Sequence, residues 1–526
     1  MSVLRKLWPA LKFGTVAGTL GGTVTYLHSV EWDVGSIGLV RFGRAAFVIG
    51  KVAVDYKLTL GKLDSNSDEY MNAKSQVHLR SAVKLHDLCC KNGGCFIKVG
   101  QHIAALEYLL PSEYVTTLKV LHDDAPQSSL EDLSKVIRED LGHDISEIFT
   151  SFDTTPIGAA SLAQVHRATL KDGTEVAVKI QHPNLKRHAS VDMATMEVLV
   201  KGVAWLFPEF QFLWISEETK KNLPLEMDFL HEGANCERVA KIYKDFSFLK
   251  VPKIYWDLST DRVLTMEYCE GGKVTDKQYM EQHKIPVDQV TRCLGKLYSE
   301  MIFVEGYVHC DPHPGNVLVN KTSSGDTEIV LLDHGLYQSL SDKFRLDYCE
   351  LWMSLIKADT EAIKLNAERM GCGEMYPLFA CIITARSWDS VTKGIDKAPA
   401  TASEDQEIQE NAGNYLSEIT GILNNVPRQL LLILKTNDLL RGIEYALESR
   451  ADASSFIGMS RCCVRALTQH KLENADNFTS RFGIRVKGQW SLFSLTLYEV
   501  AMRVKSSYIW LLLAGLLRRQ PSITAS

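Results

Sequence analysis

The twelve cysteines of this 526-residue chain fall into none of the paired spacings that hold zinc. Cys89-Cys90 with Cys95, and Cys462-Cys463, have no companion histidines and no C-x-x-C repeat. They read as reduced, mostly buried thiols. A charge excess is lacking too: 58 Lys and Arg against 64 Asp and Glu leave a net charge of −6, so nucleic acid is not an expected partner. No internal repeat is evident. Near the C-terminus the apolar run Tyr508 to Leu517, followed by Arg518-Arg519, is too short to span a bilayer and suits an interfacial or core-packed helix. At the other end no acidic residue precedes Glu31, while Arg5, Lys6 and Lys12 lead into an uncharged stretch from Phe13 to Val30 with Gly14, Gly18 and Gly22 at G-x-x-x-G spacing. An acid-free basic start predicts mitochondrial targeting, with a possible membrane segment; a secretory signal is the competing reading.

What is present is concentrated in His309-Cys310-Asp311-Pro312-His313-Pro314-Gly315-Asn316 and, one hairpin later, Asp333-His334-Gly335. An Asp, an Asn five residues on, and a second Asp before a Gly is the spacing that places a base and two metal ligands around a transferable phosphate. Phosphoryl transfer needs positioning and charge neutralisation more than covalent help. Asp311 would accept the acceptor's proton, Asn316 and Asp333 would hold Mg²⁺, and His309 would orient the loop. The same residues could form only an Asx-rich turn. The short strands Val317-Leu318-Val319 and Ile329-Val330-Leu331-Leu332 argue against that reading, because catalytic loops of this type sit beside such a hairpin.

Upstream, Glu175-Val176-Ala177-Val178-Lys179-Ile180 predicts a strand whose Lys179 grips phosphates; an exposed edge-strand lysine is the alternative. Before it, Gly158-Ala159-Ala160-Ser161-Leu162-Ala163-Gln164-Val165 fits G-x-G-x-x-G-x-V with its second and third glycines replaced by Ala160 and Ala163. A Cβ restricts both positive φ and close backbone approach, so phosphate handling should differ from that of ordinary protein kinases. Arg262 to Glu267 and Tyr268, ending at Gly271-Gly272, predicts a strand and an interlobe hinge whose backbone, at Glu267, meets adenine and whose glycines allow movement.

With these motifs in order, the chain resembles the UbiB family of aarF-domain-containing (ADCK) atypical kinases. Its further marks are Lys98-Val99-Gly100-Gln101 for K-x-G-Q, Leu110-Pro111-Ser112-Glu113-Tyr114 for L-P-x-E-Y, and Glu226-Met227-Asp228 for E-x-D. The resemblance implies a two-lobed, protein-kinase-like α+β fold with helical extensions at both ends. It implies that Lys98 and Gln101 belong to a regulatory extension over the substrate site with Glu226 as partner and Asp228 beside it. It also implies that Glu232 pairs with Lys179, and that ATP or ADP with Mg²⁺ is bound. Two departures stand out: His334 replaces the usual Phe, and no Ala-Pro-Glu follows Gly335, so no long activation loop docks a peptide.

The organisation expected is a targeting segment over 1–31, a helical extension over 32–149, an N-lobe over 150–268, a C-lobe over 269–467 and a helical tail over 468–526 that can associate with a membrane. A polar stretch from Ala398 to Asn411 reads as a surface loop. Three functions are expected to compete. One is a mitochondrial, inner-membrane-associated kinase or ATPase supporting lipid or quinone homeostasis, with membrane lipids or membrane proteins as partners. The others are a catalysis-independent scaffold and a small-molecule phosphotransferase.

Overall fold

The computed structural model describes residues 38–64, 67–104, 110–122, 127–207, 213–395, 421–422, 426–448 and 453–506. The targeting segment, the 398–411 stretch and the 508–517 run lie outside them. The chain forms two compact units: residues through Leu230 with Tyr255–Glu267, and His231–Ile254 with the residues from Tyr268 onward. The mixed helix-and-sheet content agrees with the α+β class the sequence predicts.

Unit 1 opens with helices α1 (Gly38–Leu60), α2 (Asp68–Asn92), α3 (Cys95–Ala104) and α4 (Ser112–Lys119). Helix α2 has the start and stop chemistry of a long helix. Ser67 Oγ accepts from Tyr70 N at 3.1 Å, Asp68 and Glu69 fill the first turn, and Gly93 ends it at φ 67°. Phe96, Ile97, Leu118 and Leu121 pack with Leu185 and Met196 in one core. Across it the buried Arg41 guanidinium clasps Asp192 through two bonds of 2.8 and 2.5 Å. Desolvation pushes the Asp192 carboxyl up, and Arg41 opposes it.

Helix α5 (Leu130–Leu141) then covers an antiparallel sheet. Its strands β1 (Phe149–Phe152), β3 (Ala163–Leu170) and β4 (Glu175–Gln181) lie side by side, β2 (Gly158–Ala159) pairs with β3, and β6 (Val263–Glu267) completes the order β1-β3-β4-β6. The intervening β5 (Leu249–Lys250) belongs to unit 2. Strand β4 is interior, with Lys179 opposite Val165 on one side and Leu264 on the other, which rules out the edge-strand alternative. The turn before β4 closes because Gly173 takes φ 87° and Asp172 Oδ1 accepts from Thr174 N at 2.9 Å. Helices α6 (Leu185–Leu206) and α7 (Leu213–Glu226) follow, and α8 (Phe229–Ile242) begins after Asp228.

Unit 2 carries the sheet β5-β10-β9-β7 and the ribbon β11-β8, where β7 is Gly272–Lys273, β8 Tyr307–His309, β9 Val317–Lys321, β10 Thr327–Leu331 and β11 Tyr337–Ser339. Helix α9 (Val287–Ser299) runs into a π-helical turn over Glu300–Glu305, an uncommon device that delivers the chain into β8. Phe303, Tyr348 and Trp352 form an aromatic cluster that seats α10 (Asp342–Lys357) on this turn. The helical remainder includes α11 (Arg428–Ala446), α12 (Ala453–Glu473) and α13 (Phe478–Ser506).

Candidate active site

In unit 2 the backbone from His309 to Asn316 is fixed before any ligand is considered. Pro312 and Pro314 limit φ, Asn316 N donates to His313 O at 2.7 Å, and Gly315 N donates to His313 Nδ1 at 3.2 Å. Asn316 Nδ2 donates to the Asp311 carbonyl at 3.2 Å, leaving Oδ1 as the acceptor that can meet a cation. The hairpin β9–β10 follows directly, and Leu332 N returns to Asn316 O at 2.8 Å. Asp311, Asn316 and Asp333 thereby share one short piece of structure. His309 is fully buried, and its Nε2 meets the Asp333 carbonyl at 2.9 Å. A carbonyl only accepts, so Nε2 carries the hydrogen, and Nδ1 accepts from Tyr298 Oη at 3.0 Å. Burial pushes the His309 pKa below its usual value, in keeping with a neutral ring.

Asp333 adopts φ 54°, a conformation Asp tolerates better than most residues. Its Oδ1 accepts from Gly335 N at 3.3 Å, and a Cβ on Gly335 would stand 3.2 Å from that oxygen and 3.8 Å from Glu232 Oε2. The buried Glu232 of α8 is thus a neighbour of the Asp-His-Gly turn. Three residues along α8, Asn235 Nδ2 donates to the His334 carbonyl at 2.9 Å, and Asn235 Oδ1 accepts from Tyr307 Oη at 2.7 Å. His334 is not a polar intruder in an apolar slot: Nε2 donates to Leu331 O at 3.0 Å, and Nδ1 accepts from Tyr337 Oη at 2.8 Å. Hydrogen bonds hold the turn where a Phe would have used packing.

Asp311 has a partner that the motifs do not announce. Lys435, on α11 and 124 positions away in sequence, donates from Nζ to Asp311 Oδ1 at 3.0 Å. The two side chains are 11% and 17% exposed. The only signal in the sequence is a single lysine inside the largely apolar run Leu430 to Leu440.

In unit 1 Lys179 is 9% exposed, and its ammonium lies 5.2 Å from the centre of the Phe229 ring. Glu267 ends β6, opposite Val176. The loop from Gly158 to Val165 is a tight hairpin in which Ala160 N donates to Ala163 O at 2.8 Å. Among the described residues none from 158 to 165 takes a positive φ, so the alanines fit without strain. His182 braces it, with Nε2 at 3.0 Å from Ala160 O and Nδ1 at 2.8 Å from Ser128 Oγ.

Lys98 Nζ and Glu226 Oε2 pair at 2.5 Å, while Gln101 goes elsewhere. Its Nε2 donates to Leu121 O at 2.9 Å, and its Oε1 accepts from Ser161 Oγ at 3.2 Å. The expectation that Glu226 serves both residues is corrected: Gln101 fastens the Ala-rich loop. Asp228 accepts from Leu230 N at 3.1 Å and so caps the start of α8. The glycine pair also differs from a slack hinge. A Cβ on Gly272 would overlap the Tyr279 ring, so glycine is required there by close packing.

An Asp carboxylate and an Asn carbonyl oxygen are donors of the type Mg²⁺ takes alongside phosphate and water, so the chain's donor set fits that ion. Among the described residues no three His, Cys, Asp or Glu side chains converge as a protein-only cage.

Residues 120–367 match the ABC1 atypical kinase-like domain. A chicken protein named AarF domain-containing protein kinase 1 is 56% identical over 95% of this chain and 96% of its own length. The mouse protein of that name is 55% identical over 95% and 97%, and a Drosophila melanogaster AarF domain-containing kinase 1 is 50% identical over 93% and 95%. With the Asp311–Asn316 loop, the Asp333 turn and the Lys179 strand in one chain of α+β kinase-like fold, these likenesses place the protein in the ABC1 atypical kinase family, among the AarF domain-containing kinases 1.

Proposed function

We propose that the chain binds ATP or ADP with Mg²⁺ and catalyses phosphoryl transfer, to water or to a lipid-associated or small hydroxyl acceptor, in mitochondria at the inner membrane. The observation that carries the reading is the built Asp311–Asn316–Asp333 piece, whose backbone is tied by His309 and by the Asn316 amide. Mg²⁺ would neutralise the phosphate oxygens when bound. Asp311 accepts the acceptor's proton as the new O–P bond forms and the bridging P–O bond to the nucleotide breaks. Lys435 holds Asp311 aligned until the acceptor arrives, and Lys179 grips the nucleotide phosphates. The short passage from Gly335 to α10 supports a non-peptide acceptor. The acid-free, basic N-terminus supports the mitochondrial placement.

The test is Mg²⁺-dependent nucleotide binding and turnover by the purified chain. Asp333→Asn should abolish Mg²⁺-dependent binding, and full binding by that variant would refute the reading.

A further inference from the structure

Helix α13 leaves an uncovered apolar stripe along most of its length. Phe478, Phe482, Val486, Trp490, Phe493 and Leu497 recur every three or four residues, each between 51% and 81% exposed. Over about 29 Å, at 1.5 Å per residue, this is one continuous face of aromatic and aliphatic side chains. Scattered exposed apolar residues are ordinary; a stripe this long marks a surface that is covered in use.

The rotation that exposes the stripe is fixed from the other side. Gly488 is buried, and a Cβ there would stand 2.7 Å from Thr468 of α12, so only glycine allows this approach. Arg461 of α12 reaches Glu499 at 2.7 Å and Thr496 at 3.2 Å. The helix cannot roll its apolar face inward without breaking both attachments.

Charge decides what covers it. From 478 to 500 the basic residues are Arg481, Arg485 and Lys487, all exposed; the single acid, Glu499, is bound to Arg461. At 100° per residue Arg485 and Lys487 fall on opposite flanks of the stripe. A second copy docking here would bring two sets of basic flanks together. An anionic bilayer surface accepts both features at once: aromatic side chains enter the headgroup–acyl boundary while the flanking cations meet lipid phosphates. No described helix is long and apolar enough to cross a membrane, so the geometry is that of a helix lying on one.

We infer that α13 docks the protein, stripe down, on a bilayer containing anionic phospholipid. This surface is independent of the nucleotide chemistry. It is tested by flotation of the full chain with vesicles of phosphatidylcholine alone or with about one third phosphatidylglycerol. The parent chain should float mainly with the anionic vesicles, and Trp490→Ser with Phe493→Ser should reduce the bound fraction at least tenfold. Arg485→Gln and Lys487→Gln should each weaken anionic binding about fivefold, as loss of one interfacial cation does. All four substitutions fall on solvent-facing positions, so melting temperatures should match the parent; if the stripe variant does not fold, the charge variants decide. Undiminished flotation of the variants, or no vesicle binding by the parent, overturns the inference. So does a parental dimer that the stripe variant dissociates, because the face would then belong to a second copy. Nucleotide turnover in vesicle-free solution, measured on the same variants, separates a failure of docking from a failure of the phosphotransfer reading.

Discussion

Two buried ammonium–carboxylate pairs, one in each unit, use the same chemistry in different surroundings. Lys98 and Lys435 are both 11% exposed, but Glu226 is 6% exposed at 2.5 Å and Asp311 is 17% exposed at 3.0 Å. The first carboxylate is sealed, so its pair acts as a joint between α3 and the end of α7. The second is more exposed, and on the proposed reading its pair opens for a reactant. The two pairs differ in the burial of the anion and not of the lysine.

The comparison breaks most decisively at Asp311. Asp311→Asn should lower turnover about 100-fold or more, the scale of general-base loss, with nucleotide affinity kept within a few-fold. Turnover near that of the parent would leave this carboxylate as structural as Glu226. Lys435→Met should lower turnover about tenfold while leaving the nucleotide KM within a few-fold, because the side chain that aligns Asp311 is gone. Unchanged turnover would make Lys435 a packing residue only.

For the sealed pair the expected effect is on stability. Glu226→Gln should cost about 3 kcal/mol in urea unfolding, since an uncompensated ammonium remains, and Lys98→Met with Glu226→Met should recover most of it. A single-variant loss below about 1 kcal/mol would remove the contrast, being what an exposed pair gives. The smallest effect belongs to the loop clamp: Gln101→Ala should cost about 1 kcal/mol, one net hydrogen bond, and raise the nucleotide KM several-fold.

Acid should act on both units through histidines. Burial lowers the pKa of His182 in unit 1 and of His309 in unit 2. Below about pH 6.5 the unfolded chain binds protons that these folded rings refuse, so stability present above that pH declines as the pH falls toward the folded values. Melting temperature should therefore drop between pH 7 and 5.5, and His182→Gln should flatten part of that slope.

The candidate site is legible where its residues are local in sequence: Asp311, Asn316 and Asp333 sit within one loop and hairpin, and Lys179 within one strand. Lys435 was illegible because its role depends on a helix 124 positions away, and a single lysine in an apolar run has no spacing to read. The pairing of Gln101 with Glu226 is what the family resemblance implies, and no spacing in the chain tests it. Which acceptor a side chain meets is decided by helix rotation, and Ser161 lies where α3 turns it. Gly272 read as freedom of movement because sequence shows a missing side chain without showing the Tyr279 ring that forbids one.

The left-handed backbone at residue 333 narrows what this position can ever be. Glycine, Asn and Asp tolerate that conformation most readily. Glu, with the same charge and the same oxygens, is disfavoured by its backbone before its extra length matters. Glycine has no ligand atom and Asn no charge. Among anionic side chains the torsion angle here favours Asp over Glu, by backbone preference as well as by reach.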